Sequence, residues 1–115
     1  MPLLAAHVWS FLDQHHGAGE DHFDARYNDG TARQFLAGVV EQSVGPTAAA
    51  EIELVTECDL PADGLVRVAD TAEAPLLVVG ARGLGGFKEL LLGSVSHKVL
   101  VTSSRPVVVV HHLAP

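Results

Sequence analysis

A single cysteine, Cys58, occurs among the 115 residues, so no disulfide forms within the chain and a reducing compartment, the cytoplasm, is expected. No apolar run approaches the roughly 18 residues that a membrane span needs. Met1 to Val8 is apolar but has neither a basic n-region nor a cleavage site, and so is not read as a signal peptide. Cations are scarce. Seven Lys and Arg stand against fourteen Asp and Glu, for a net charge of −7, which argues against nucleic acid and anionic membranes as partners. Familiar motifs are missing too. There is no G-x4-G-K-[ST], which excludes a P-loop. Gly83-Leu84-Gly85 is followed by Lys88 where the dinucleotide fingerprint needs its third glycine. No Ser-His-Asp or Cys-His set lies on matched elements, and no general base is positioned for fast hydrolysis, so the chain is not read as an enzyme.

What is present is a globular composition, 48% hydrophobic and 18% charged, sufficient for one compact domain over residues 1–115. Its charge is uneven. Residues 1–81 hold thirteen acids and three bases, whereas residues 82–115 hold Glu89 against Arg82, Lys88, Lys98 and Arg105. A locally positive C-terminal third suits a small anion; scattered surface charge is the plainer alternative.

The hydrophobic pattern predicts a strand over Leu3–Val8, then a long loop from His15 to Asn28. Asn28, Asp29 or Thr31 caps a helix whose apolar face is Ala32, Phe35, Leu36, Val39, Val40 and Val44, and Gly45-Pro46 stops it. Alternation from Glu51 to Thr56 predicts an edge strand. Asp59 caps a helix from Pro61 to Ala72 with Leu65, Val66 and Ala69 inward, weakened at Gly64. Leu76–Val79 and Val107–Val110 are wholly apolar and predict strands covered on both faces. Between them a helix from Ser94 to about Ser103 buries Val95, Val99 and Leu100. This β-α-β-α-β-α-β order predicts an α/β fold: a parallel sheet of about four strands with helices on both faces.

The chemistry lies from Gly80 to Ser96. Gly80 ends a buried strand, Gly83 follows three residues later, and after nine more residues Gly93-Ser94-Val95-Ser96 opens a helix. Glycines allow the backbone to approach a phosphate without an intervening Cβ. The first N–H groups of a helix are unpaired at its positive pole, and Ser94 and Ser96 add hydroxyls. Read alone, Gly80-x-x-Gly83 is better explained by turn geometry and Ser94 by helix capping; the combined spacing is more specific.

Gly80-Ala81-Arg82-Gly83-Leu84-Gly85-Gly86-Phe87 and Leu91-Leu92-Gly93-Ser94-Val95-Ser96 resemble the G-x2-G-x9-G-[ST] signature of ATP-binding universal stress proteins. Arg105-Pro106 before Val107–Val110 and His7-Val8-Trp9 after the first strand resemble the same family. The resemblance implies the adenine-nucleotide α-hydrolase-like fold and a stress-response regulatory protein binding ATP, with Mg²⁺ on the phosphates and at most slow, incidental hydrolysis. It implies that Gly80, Gly83, Gly93, Ser94 and Val95 contact phosphates and ribose, that Val8 and Val79 flank the adenine, and that Arg82 and Ser96 reach the phosphates. It also implies a homodimer through Val107, Val108, Val109 and Val110. One departure stands out: the chain starts on what resembles the family's second strand, so the first strand, its Asp and the following helix are missing from the pattern. A truncated family domain is expected, against direct pairing of the flanking strands or a partner chain filling the gap.

Two other function classes compete. One is an interaction module without a ligand, dimerising through its last strand. The other is a metal-responsive protein using the loop that holds Asp13, His15, His16, Glu20, Asp21, His22 and Asp24, whose spacing matches no rigid ligand motif, so no metal site is assigned. Cys58 and Trp9 read as packing residues, and His111 and His112 as a solvated tail.

Overall fold

The computed structural model describes residues 2–10, 28–81 and 92–111. The chain divides into two compact units, Met1–Leu60 and Pro61–Pro115. The His15–His22 loop lies outside the described residues, as do Arg82 and Gly83.

The first unit is a β-α-β motif. Strand β1 (Leu4–Trp9) pairs in parallel with β2 (Glu53–Cys58), from Leu4 opposite Glu53 to Trp9 opposite Cys58. Helix α1 (Asp29–Ala49) connects them and packs on both strands. Asn28 is its N-cap: its side-chain oxygen accepts the Thr31 N–H at 3.0 Å, satisfying one otherwise unpaired donor. The expected stop at Gly45-Pro46 appears as a break. Gly45 adopts φ 84°, ψ 163°, a left-handed backbone open to glycine, and Pro46 starts a further turn. Of the predicted apolar face, Ala32, Leu36 and Val40 are buried, while Phe35, Val39 and Val44 remain exposed. The buried stripe is therefore a single i, i+4, i+8 row.

Strand β2 begins two residues later than the alternation predicts. The Glu51 and Ile52 N–H groups bond to the carbonyls of Ala48 and Ala49, which holds both residues in the turn that closes α1. Cys58 ends β2 exposed to solvent, contrary to the packing role expected of it.

The second unit contains α2 (Pro61–Thr71), β3 (Leu77–Gly80), α3 (Ser94–Thr102) and β4 (Val107–Val110). Pro61 opens α2, a position where its missing N–H costs nothing. Ala62, Gly64, Val68 and Ala69 form the buried side of α2, with Leu65 and Val66 only half-buried. Gly64, expected as a weak point, thus sits on the packed side. Helix α2 packs on α3, in which Val99 is fully buried and Val95 half-buried, while Leu100 is exposed.

Strands β3 and β4 pair in parallel, Leu77 opposite Val107 through Gly80 opposite Val110. Leu77, Val79, Val107 and Val109 are half-buried; Val78, Val108 and Val110 are exposed. The two apolar strands are therefore shielded on one face only among the described residues. A continuous Val run reports that water is disfavoured there, but not that the chain supplies a cover. Within each unit the strands form one parallel pair, β1 with β2 in the first and β3 with β4 in the second. No described helix is long and apolar enough to cross a membrane.

Candidate functional site

The end of β3 and the start of α3 meet. The Ala81 N–H donates to the Val110 carbonyl at 2.8 Å, extending the ladder one residue past Gly80. The Ala81 carbonyl accepts the Gly93 N–H at 2.6 Å, and the Ser96 hydroxyl donates to the Gly80 carbonyl. Gly93 is the N-cap of α3, with an extended backbone (φ −68°, ψ 163°) and no capping side chain. The first intrahelical bond of this turn runs from the His97 N–H to the Gly93 carbonyl at 3.0 Å. The Ser94, Val95 and Ser96 N–H groups, which precede it, have no acceptor within the helix. No Asp or Glu occupies the first turn, so nothing on α3 itself neutralises its positive pole. Three N–H groups at a helix start, an exposed Ser94 and a glycine without a side chain are an arrangement that can receive a small anion.

Of the residues implicated by sequence, Gly80, Gly93, Ser94, Val95 and Ser96 converge here, with the half-buried Val79 one residue before Gly80. Val8 is buried in β1, in the first unit. Arg82 and Gly83, outside the described residues, have no placement. Two of the four cations in the positive C-terminal third are already committed to carboxylates of α2. Lys98 lies 3.5 Å from Asp63, and the Arg105 guanidinium is 2.8 Å from Asp70. Arg105 also donates to the Ala74 carbonyl at 2.6 Å, so it ties the end of α2 to the entry of β4.

Sequence reasoning missed two features. Ala81, buried between the motif glycines, links β4 to the start of α3 through its backbone; its signal was a small residue directly after a strand-ending glycine. In the first unit, Asp29 accepts from the Trp9 indole N–H at 3.3 Å and from the Thr56 hydroxyl at 2.6 Å, joining β1, β2 and the first turn of α1. Trp9 is buried, as expected, but it also carries a polar contact. Periodicity gives no sign of such a link.

A model of the universal stress protein family matches residues 2–111. The chain belongs to that family. A universal stress protein of Mycobacterium tuberculosis (strain H37Rv) is 37% identical over 109 residues, which cover 93% of this chain and 35% of the relative. The universal stress protein YxiE of Bacillus subtilis is 48% identical over 50 residues, 44% of this chain and 34% of that protein. The chain thus spans about a third of the length of these curated relatives. Among solved structures, a universal stress protein in complex with cAMP superposes with a TM-score of 0.59 at 28% identity, covering 96% of this chain and 73% of that one. The α/β fold with parallel strands expected from the sequence is the universal stress protein fold.

Proposed function

We propose that this universal stress protein domain is a regulatory module that binds an adenine nucleotide, ATP with Mg²⁺, in the cytoplasm. The observation that carries this reading is the junction of β3 with α3: the N–H groups of Ser94, Val95 and Ser96, which have no acceptor within α3, with no carboxylate in that turn, beside the strand-ending Gly80. Membership of the family and the likeness to a member solved with cAMP support a nucleotide as the anion. On this reading Gly80, Gly93, Ser94 and Val95 hold phosphates and ribose, Arg82, Gly83 and Ser96 belong to the same sequence segment, and Val79 contacts the base. Binding itself is the function, and turnover is slow or incidental. The test is a thermal melt with saturating Mg-ATP and, separately, cAMP. At about 100 times Kd a ligand adds roughly 2.7 kcal/mol, which is about 10 °C for a domain of this size. A cooperative melt unmoved by either nucleotide refutes the reading.

A second reading, an interaction module, is favoured by one observation. Strand β4 pairs with β3 on one edge, and Val108 and Val110 remain exposed. A homodimer through Val107, Val108, Val109 and Val110 would cover them. Sedimentation of Val108→Glu against the unaltered protein tests it, and an unchanged monomer in both cases rules it out.

A further inference from the structure

Ser96 is a buried polar side chain, 5% exposed, in the first turn of a helix whose other serine there, Ser94, is exposed. The reason lies in the ladder. The Leu77 and Ala81 N–H groups face β4, donating to the Pro106 and Val110 carbonyls. In a parallel ladder alternate residues point to the same side, so Val78 and Gly80 direct their backbone groups away from β4. The Gly80 carbonyl therefore has no partner on β4, and although Gly80 itself is exposed, its carbonyl is turned toward the part-buried start of α3, where a donor is favourable. The Ser96 hydroxyl fills that vacancy. One residue on, the Ala81 carbonyl accepts the Gly93 N–H. Successive carbonyls at the strand end are thus held by the N-cap and the third residue of α3.

We propose that Ser96 is a positioning residue: its hydroxyl clamps the first turn of α3 onto the end of β3 and so presets the spacing between Gly80 and the N–H groups of that turn that have no acceptor within α3. This rests on the nucleotide reading. The Ser96 proton is spent on Gly80, so the hydroxyl donor offered to a phosphate is that of Ser94. A junction held in place before binding avoids the ordering cost that a loose one incurs when ligand arrives.

The experiment compares Ser96→Ala, Ser96→Cys and Ser96→Thr with Ser94→Ala in the full chain. It measures Mg-ATP affinity by calorimetry and amide hydrogen exchange at Gly93 in the ligand-free protein. Ser96→Ala should weaken Mg-ATP up to about tenfold, the order expected for one lost part-buried hydrogen bond. It should also speed Gly93 exchange, because the clamp that keeps Gly93 on Ala81 is gone. Ser96→Thr, which keeps a hydroxyl, should restore both. Ser96→Cys, close in size but a weak donor, should behave like Ser96→Ala and serves if the alanine variant fails to fold. Ser94→Ala should weaken Mg-ATP without altering Gly93 exchange. The proposal is overturned if Ser96→Ala weakens Mg-ATP while Gly93 exchange stays slow, since Ser96 would then be a direct ligand. It is equally overturned if exchange accelerates and affinity does not change, which leaves only a structural bond. If the unaltered protein binds no Mg-ATP, the nucleotide reading falls and takes the positioning role with it, while Gly93 exchange in Ser96→Ala still reports whether the clamp exists.

Discussion

Ser94→Asp should move stability and nucleotide affinity in opposite directions. Ser94 is the first residue of α3, exposed, behind an N-cap glycine that offers no side chain, in a turn free of acids. A carboxylate there meets the positive end of the helix and adds about 0.3–1 kcal/mol to the ligand-free protein. For a chain of this length that raises Tm by about 1–4 °C. The same charge opposes a phosphate. If the phosphate sits within one helical turn, roughly 5 Å away, Coulomb repulsion at an effective dielectric of about 20 is about 3 kcal/mol per unit charge. Screening at physiological salt, with a Debye length of about 8 Å, reduces this to about 2 kcal/mol, or roughly 20-fold in Kd. Mg²⁺ on the phosphates lowers the figure without changing its sign. The assays are a ligand-free thermal melt and calorimetric titration with Mg-ATP at two salt concentrations, the affinity gap narrowing at the higher one. A raised Tm with unchanged Mg-ATP affinity would refute the placement of the anion at the α3 N-terminus. A lowered Tm would refute the account of its electrostatics.

Three further sites test the scaffold by thermal or urea unfolding. Val99→Ala removes a fully buried side chain from α3 and should cost about 2 kcal/mol, whereas Val101→Ala on the same helix, 70% exposed, should stay within about 0.5 kcal/mol. Equal effects would show that α3 packs on a different face. Asp29→Ala removes the shared acceptor of Trp9 and Thr56 together with an acid in the first turn of α1, for a loss of about 2 kcal/mol and an altered emission from Trp9, the single tryptophan. Unchanged fluorescence would mean that the indole contact does not form in solution. Arg105→Ala should cost about 2 kcal/mol through the lost bonds to Asp70 and Ala74. Arg105→Lys should recover less than half of that, because an ammonium lacks the guanidinium fork; full recovery would reduce the contact to simple charge pairing.

Much of this protein is local, and local features are legible in a chain. Asn28 as a cap, Gly45-Pro46 as a break, Pro61 as a helix start and Val107–Val110 as a strand all depend on a few neighbouring residues, and each lies where the residues indicate. Gly93-Ser94 also indicated the start of α3, whose first N–H groups lack acceptors within the helix whatever surrounds it. The remainder depends on contacts between segments distant in sequence. Hydrophobic runs could not say that β1 would take β2 and β3 would take β4 as partner, nor that Val78, Val108 and Val110 would lie bare, since cover for a sheet face comes from other elements. Helical spacing offered six apolar positions on α1, and packing on β1 and β2 selected Ala32, Leu36 and Val40. Two serines two residues apart look equivalent in sequence. Only the direction of the Gly80 carbonyl, set by the parallel ladder with β4, decides that Ser96 turns inward to hold the strand while Ser94 faces solvent.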